Sequence, residues 1–363
     1  MKVGLIIYGT LDTLTGGYIY DRILVDYLRQ HGHQVEIISL PNRDYAIHLL
    51  ENFSGRLIKE TAARQFDLLL QDELCHPSLS RFNRCLREKA LLPIVAIVHQ
   101  VLCRQPRSSM LNHLYEAVEK PYLKSVDAFI FNSNTTGQTV EHLIGDRRPS
   151  VVACPAGDRL GFLAAPDKID SRAREPGPLR LIFVGNVLPN KGLLPLIRGL
   201  SKLPRESCHL TVVGSLEMHR RHFRKVSKLI AAKNIKQRVS LVGPQNGPEL
   251  ASLLARSHVF IMPFSHESYG MAYLEAMGFA LPVIGSSSGA VKEFIIPEKN
   301  GFLIDPGDLD TALACLKRLD RDRSLLIKMS RAALQTFHEH PRWSDTMEDA
   351  YRFLCKLVNK KLV

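Results

Sequence analysis

The sequence predicts an α/β protein built from two parallel-sheet domains. Apolar runs of strand length alternate with amphipathic helical segments from the first residues onward. The alternation pauses at a polar, proline- and glycine-rich stretch, Ala165 to Pro178, and restarts at Leu179. At 363 residues the chain also exceeds one typical core, and roughly 150 residues per domain gives two.

The elements follow in order. Lys2 to Tyr8 has the near-continuous apolar character of a strand covered on both faces. After a loop to Gly17, Ile19 to Gln30 sets Ile23, Leu24, Tyr27 and Leu28 on one helical face; Gly32 stops the helix and Val35 to Leu40 is a second strand. Further strands are expected at Asp67 to Leu70, Leu92 to Val98 and Ala128 to Asn132. The restart gives a strand at Leu179 to Gly185, a helix at Gly192 to Leu203, and strands at Leu210 to Val213, Ser240 to Val242 and Val259 to Met262. The expected organisation is two Rossmann-like domains facing a cleft, residues 1–165 and 179–340, joined by a linker at 166–178 and followed by a terminal helical segment at 341–363.

Composition narrows the function classes. Hydrophobic residues make up 45% and charged residues 23%, without repeats or low-complexity tracts, as in folded globular proteins. The seven cysteines are scattered and include no C-x-x-C pair, which argues for reduced thiols in a cytoplasmic protein and against a disulfide framework or structural zinc. The first residues lead directly into a strand with no signal-peptide pattern. The longest uncharged stretch, Ala90 to Cys103, is too short to span a bilayer. The net charge of +12 suits acidic ligands or peripheral contact with an anionic membrane at its inner face. Uncharged Ala90 to Cys103 with Arg104 and Arg107 is one candidate surface for that contact, and the densest basic run is His219 to Lys225 with Lys228. No nucleic-acid-binding module is recognisable, so no nucleic-acid partner is expected.

The chemistry centres on Pro263 to Gly289. Glu267 lies in a loop after an apolar strand, and Glu275 lies about one turn into a helix opening near Gly270 or Met271. At ~1.5 Å rise per residue the helical part of that spacing is only ~6 to 7 Å, so both carboxylates can face one pocket. The N–H groups of Gly270, Met271 and Ala272 and the helix dipole there favour an anion such as a diphosphate. Carboxylates accept hydrogen bonds from vicinal hydroxyls, so the set suits a nucleotide-sugar; an ordinary crossover with two surface glutamates also fits. Gly16 and Gly17 allow close backbone approach in the first domain, but no G-x-G-x-x-G fingerprint is present. His99 directly follows a strand, where ligands bind in such sheets. Lys191, at a helix start after Gly185 and Asn186, adds a cation to an anion seat. Asp308 and Asp310 mimic a metal motif but read as a helix cap and a first-turn acid, so no metal site is expected.

The Val-Gly-x5-Lys-Gly stretch at Val184 to Gly192, Glu267-x7-Glu275, Pro282 to Gly285 and Gly289-x3-Glu293, together with Gly16-Gly17, resemble the retaining glycosyltransferases of family 4, which have the GT-B fold. The resemblance covers nearly the whole chain. It implies that Glu275 binds ribose hydroxyls, Glu267 binds donor-sugar hydroxyls, and Gly270, Met271 and Ala272 cradle diphosphate or sugar. Lys191 would neutralise phosphate, Gly16 and Gly17 would approach it from the other domain, Val242 and Gly243 would lie near the base, and His99 by the transferred sugar. The terminal helix would cross back to the first domain, with Trp343 as a hinge residue. One departure stands out: many members carry Arg where this chain has Asn186, so charge stabilisation must rest more on Lys191 and the helix end, with Arg180 or Arg198 as possible substitutes.

The implied reaction is metal-independent transfer with retention, from a UDP-, GDP- or ADP-linked sugar to a hydroxyl of a glycan, lipid-linked or small-molecule acceptor. No cofactor is expected. A nucleotide-sugar epimerase or hydrolase on the same scaffold, and a non-catalytic basic binding protein, remain as alternatives.

Overall fold

The computed structural model describes residues 1–52, 55–161, 166–245, 247–263 and 267–359. The chain divides into two compact units, one of Met1–Pro155 with Trp343–Val363 and the other of Ala156–Arg342.

In the first unit, strands β1 (Lys2–Tyr8), β2 (Gln34–Leu40), β3 (Leu68–Asp72), β4 (Ile94–Val98), β5 (Ala128–Phe131) and β6 (Ser150–Val152) form one sheet in the order β2-β1-β3-β4-β5-β6. Every pairing is parallel. β3 and β4 are buried at all positions because helices cover both faces, which is why their sequence reads as continuous apolar runs. Strand order reverses between β1 and β3, so the loops leaving these strands at their carboxyl ends open a crevice. Helix Gly16–Gln30 follows β1, and helix Trp343–Asn359 packs in the same unit. Trp343 sets its ring edge-on to Tyr20 at 5.7 Å.

The second unit repeats the architecture. Strands β7 (Leu179–Val184), β8 (Cys208–Val213), β9 (Val239–Gly243), β10 (Val259–Met262), β11 (Val283–Ser286) and β12 (Gly301–Ile304) run in the order β12-β11-β10-β7-β8-β9, again all parallel. The reversal here falls between β7 and β10. That choice of neighbours puts the loop carrying Lys191 beside the loop carrying Glu267.

Several elements differ from the sequence reading. The first helix begins at Gly16, so both glycines are helical residues rather than loop. The stretch 166–174, read as linker from its composition, is a helix with Ile169 and Ala173 buried. Its Arg172 guanidinium donates to the carbonyls of Ala255, Phe279 and Ala280, a tertiary role that composition does not reveal. β6, β11 and β12 went unread; each is only three or four residues long. Within the uncharged run 90–103, considered for a membrane surface, residues 94–98 form β4 and are all buried. Among the described residues, no helix is long and apolar enough to cross a membrane.

Candidate active site

In the second unit the site grows from the loops at the carboxyl ends of β7 and β10. After β7, Asn186 accepts the Ser215 N–H through Oδ1 at 2.9 Å, tying this loop to the one after β8. A short 3-10 turn, Pro189–Lys191, then brings Lys191 Nζ to 2.5 Å from Glu267 Oε1. Glu267 is fixed by its backbone, which bridges to Gly289 and accepts the Ala290 N–H at 3.2 Å. Gly289 has φ 97°, and a Cβ there would sit 1.9 Å from the Glu267 carbonyl oxygen, so only glycine allows this pairing.

Gly270, left-handed at φ 100°, is the N-cap of helix Met271–Gly278 and turns the chain into it. The N–H groups at this helix start lie at its positive end. Glu275, on the same helix, is 6% exposed. Arg159 Nε and Nη2 both donate to Glu275 Oε1, at 2.9 and 2.7 Å. Oε2 accepts nothing from the described residues and stays available for a hydroxyl. Burial pushes the Glu275 carboxyl above its ordinary value, and Arg159 opposes that shift. Val242 and Gly243 end β9, with Val242 exposed and Gly243 at φ 82°.

In the first unit, His99 follows β4 and is 8% exposed. Its Nε2 lies 2.9 Å from Asp21 Oδ1, its carbonyl accepts from Asn132 Nδ2 at 2.7 Å, and Tyr20 packs edge-on to the ring. A Cβ on Gly17 would come within 3.0 Å of the His99 Cδ2, so the second glycine makes room for the imidazole. Burial disfavours charge on His99, but Asp21 and then Asp72 outweigh it and raise the imidazole to about 9. Burial raises the Asp72 carboxyl to about 7, with His99 opposing and Asp21 reinforcing the shift. Asp21, Asp72 and His99 bring three ligand-type atoms within 4.8 Å of one another, as do Glu73, His76 and Glu119. Asp308 caps its helix by accepting the Thr311 N–H at 3.1 Å.

Within the second unit the structure thus joins Lys191 to Glu267 and places Gly270, Met271, Ala272 and Glu275 at one helix start. Three residues escaped the sequence reading. Asp21 had a signal, since it shares a buried helical face with Leu24, Val25 and Leu28 where an acid is out of place. Asp72 is the last residue of β3, a position that the misplaced strand end concealed. Arg159 reaches Glu275 across 116 residues of sequence, with no local pattern to announce it. Neither proposed substitute for an Arg at Asn186 is built for that role. Arg180 is near the amino end of β7 and pairs with Glu175 at 2.7 Å, and Arg198 is exposed in the last turn of helix Leu193–Leu200.

Residues 166–336 match the family described as glycosyl transferases group 1. A D-inositol 3-phosphate glycosyltransferase of Pseudarthrobacter chlorophenolicus is 27% identical over 210 residues, which are 55% of this chain and 49% of that protein. A glycogen synthase of Mycobacterium tuberculosis is 24% identical over 264 residues, 69% of this chain and 60% of the relative. The chain spans roughly half the length of such curated relatives. Among solved structures, a sucrose-phosphate synthase from Thermosynechococcus elongatus aligns with TM-score 0.83 at 18% identity, covering 99% of this chain and 100% of that one. Anabaena HepE, solved with UDP and glucose, aligns with TM-score 0.76 at 17% identity, covering 98% and 100%. Residues 166–336 thus match the model of group 1 glycosyl transferases, and the two six-stranded parallel units of the chain have the GT-B fold.

Proposed function

We propose that the protein is a retaining glycosyltransferase of family 4 that moves a sugar from a nucleoside-diphosphate donor to an acceptor hydroxyl without a metal ion. The observation that carries this reading is the pair of carboxylates around one helix start, Glu267 held by Lys191 and Glu275 held by Arg159 through a single oxygen. Glu275 Oε2 is left for ribose hydroxyls, while the helix N–H groups and Lys191 offer a seat for the diphosphate. Glu267 accepts from donor-sugar hydroxyls. Val242 and Gly243 approach the base, and Gly16 and Gly17 approach the phosphates.

In this reading the departing diphosphate takes the acceptor proton, and cations stabilise its growing negative charge, so no enzymic nucleophile is needed. A protonated His99 donates toward the transferred sugar. The acceptor is a glycan, lipid-linked or small-molecule hydroxyl, and the site of action is the cytoplasm, with peripheral contact at the inner membrane face where the acceptor is lipid-linked. The donor assignment is tested by thermal shift against UDP-, GDP- and ADP-linked sugars, with and without EDTA. Stabilisation by one nucleotide class, weakened in Lys191→Ala and Glu275→Ala, is the expected result; no shift with any donor overturns the reading.

A further inference from the structure

The basic run after β8 has no part in the site described above. Helix Arg220–Ala232 turns His222, Val226 and Ile230 inward and exposes Arg221, Lys225 and Lys228 on one face, at i, i+4 and i+7. Between this helix and Leu193–Leu200 lies a groove of about 510 Å³. Leu194 and Pro195 supply an apolar wall, and Arg198, Arg221 and Lys225 bring three cations.

No carboxylate lines the groove, and none of these three cations forms an ion pair among the described residues. The ion pair within the run, Arg220 with Glu217 at 3.6 Å, uses residues outside the lining. His222 is 6% exposed, lines the groove, and its Nε2 has no hydrogen-bond partner among the described residues. His219 accepts the His222 N–H through Nδ1 at 3.1 Å, so the neutral ring carries its proton on Nε2 as a further donor. An ordinary solvated helix face explains the exposed lysines and arginines. It does not explain why three cations without ion pairs line one groove that holds no carboxylate, an arrangement whose mutual repulsion an anion relieves.

We infer that this groove binds a phosphate group, with Arg198, Arg221 and Lys225 neutralising it and His219 Nε2 directing a hydrogen bond to its oxygens. Guanidinium forks match phosphate geometry, and the wall formed by Leu194 and Pro195 leaves room for an apolar or sugar moiety beyond it. The phosphate could belong to a soluble ligand or to a lipid headgroup. The groove does not include Lys191, Glu267 or Glu275, although its lining reaches Pro189.

The test uses the full chain carrying Lys191→Ala, which weakens the proposed donor phosphate seat, and inorganic pyrophosphate as the calorimetric probe. One binding event is expected in this variant, weakened at least roughly tenfold when Arg221→Gln and Lys225→Gln are added. Both added changes are exposed, and an unaltered thermal melt confirms the fold. No binding in the Lys191→Ala chain, or unchanged affinity after the glutamine substitutions, overturns the proposal without touching the donor reading. Flotation with phosphatidic acid in neutral phosphatidylcholine vesicles separates the sources. Co-flotation that pyrophosphate competes away, and that the glutamine substitutions abolish, assigns a lipid headgroup; pyrophosphate binding without co-flotation assigns a soluble phosphate.

Discussion

Arg159 places two N–H groups on a single oxygen of Glu275 and leaves the other oxygen of that buried carboxylate open. Arg159 thereby opposes the upward push that burial gives the Glu275 carboxyl, and one oxygen is presented as an acceptor for a ribose hydroxyl. Arg159→Ala should push the Glu275 carboxyl further up and cost about 1–2 kcal/mol, a figure kept small because Arg159 is partly exposed. Urea unfolding reads the stability loss. Glu275→Gln should instead keep the melt and lower nucleotide affinity about tenfold or more, read by titration calorimetry.

Lys191 should act on phosphates more than on the nucleoside. Lys191→Ala is expected to weaken a nucleoside diphosphate about tenfold to a hundredfold while leaving nucleoside binding within a factor of about three. Equal losses for both ligands would show that the substitution disturbs the Glu267 loop as a whole. Adding a cation by Asn186→Arg should fail to strengthen phosphate binding, because it removes the amide that ties down the Ser215 backbone.

The His99 cluster gives a pH signature. The folded-state value of about 9 exceeds the ordinary 6.5, so the His99 contribution to stability is fully present below about pH 6.5 and is lost as pH rises through 9. Asp72 acts in the same sense at lower pH: its carboxyl is raised from 3.8 to about 7, so stability falls as pH climbs between those values. Asp21→Asn removes the larger of the two carboxylate contributions that oppose burial and should lower the imidazole from about 9, followed by NMR of the ring protons. Gly17→Ala should disturb the same titration by crowding the ring.

Gly289 is the steric keystone of the Glu267 loop. Gly289→Ala must abandon either φ 97° or the bridge to Glu267, at a cost of roughly 2–4 kcal/mol in urea unfolding, with nucleotide-sugar affinity falling alongside.

Much of this organisation was legible because parallel sheets write themselves as continuous apolar runs. β1 and β10 were read at their observed bounds, and Glu267 and Glu275 stood out by their spacing across a strand, loop and helix start. What stayed hidden depends on tertiary contact. β11 and β12 each carry a glycine in a four-residue run, which weakens the apolar signal that the equally short β10 keeps; helix 166–174 is stabilised by Arg172 reaching distant carbonyls, and Arg159 meets Glu275 only after folding. Asp21 was readable as an acid on an apolar helical face and was passed over.

The central claim is transfer from a nucleotide-sugar with retention and without metal. The most direct measurement is proton NMR of slow donor hydrolysis by the full chain in EDTA, following the first anomer of the released sugar. Release of the donor's own anomer, lost in Glu275→Ala and Lys191→Ala, is the expected result. Release of the opposite anomer, or activity that EDTA abolishes and a divalent ion restores, would contradict the account.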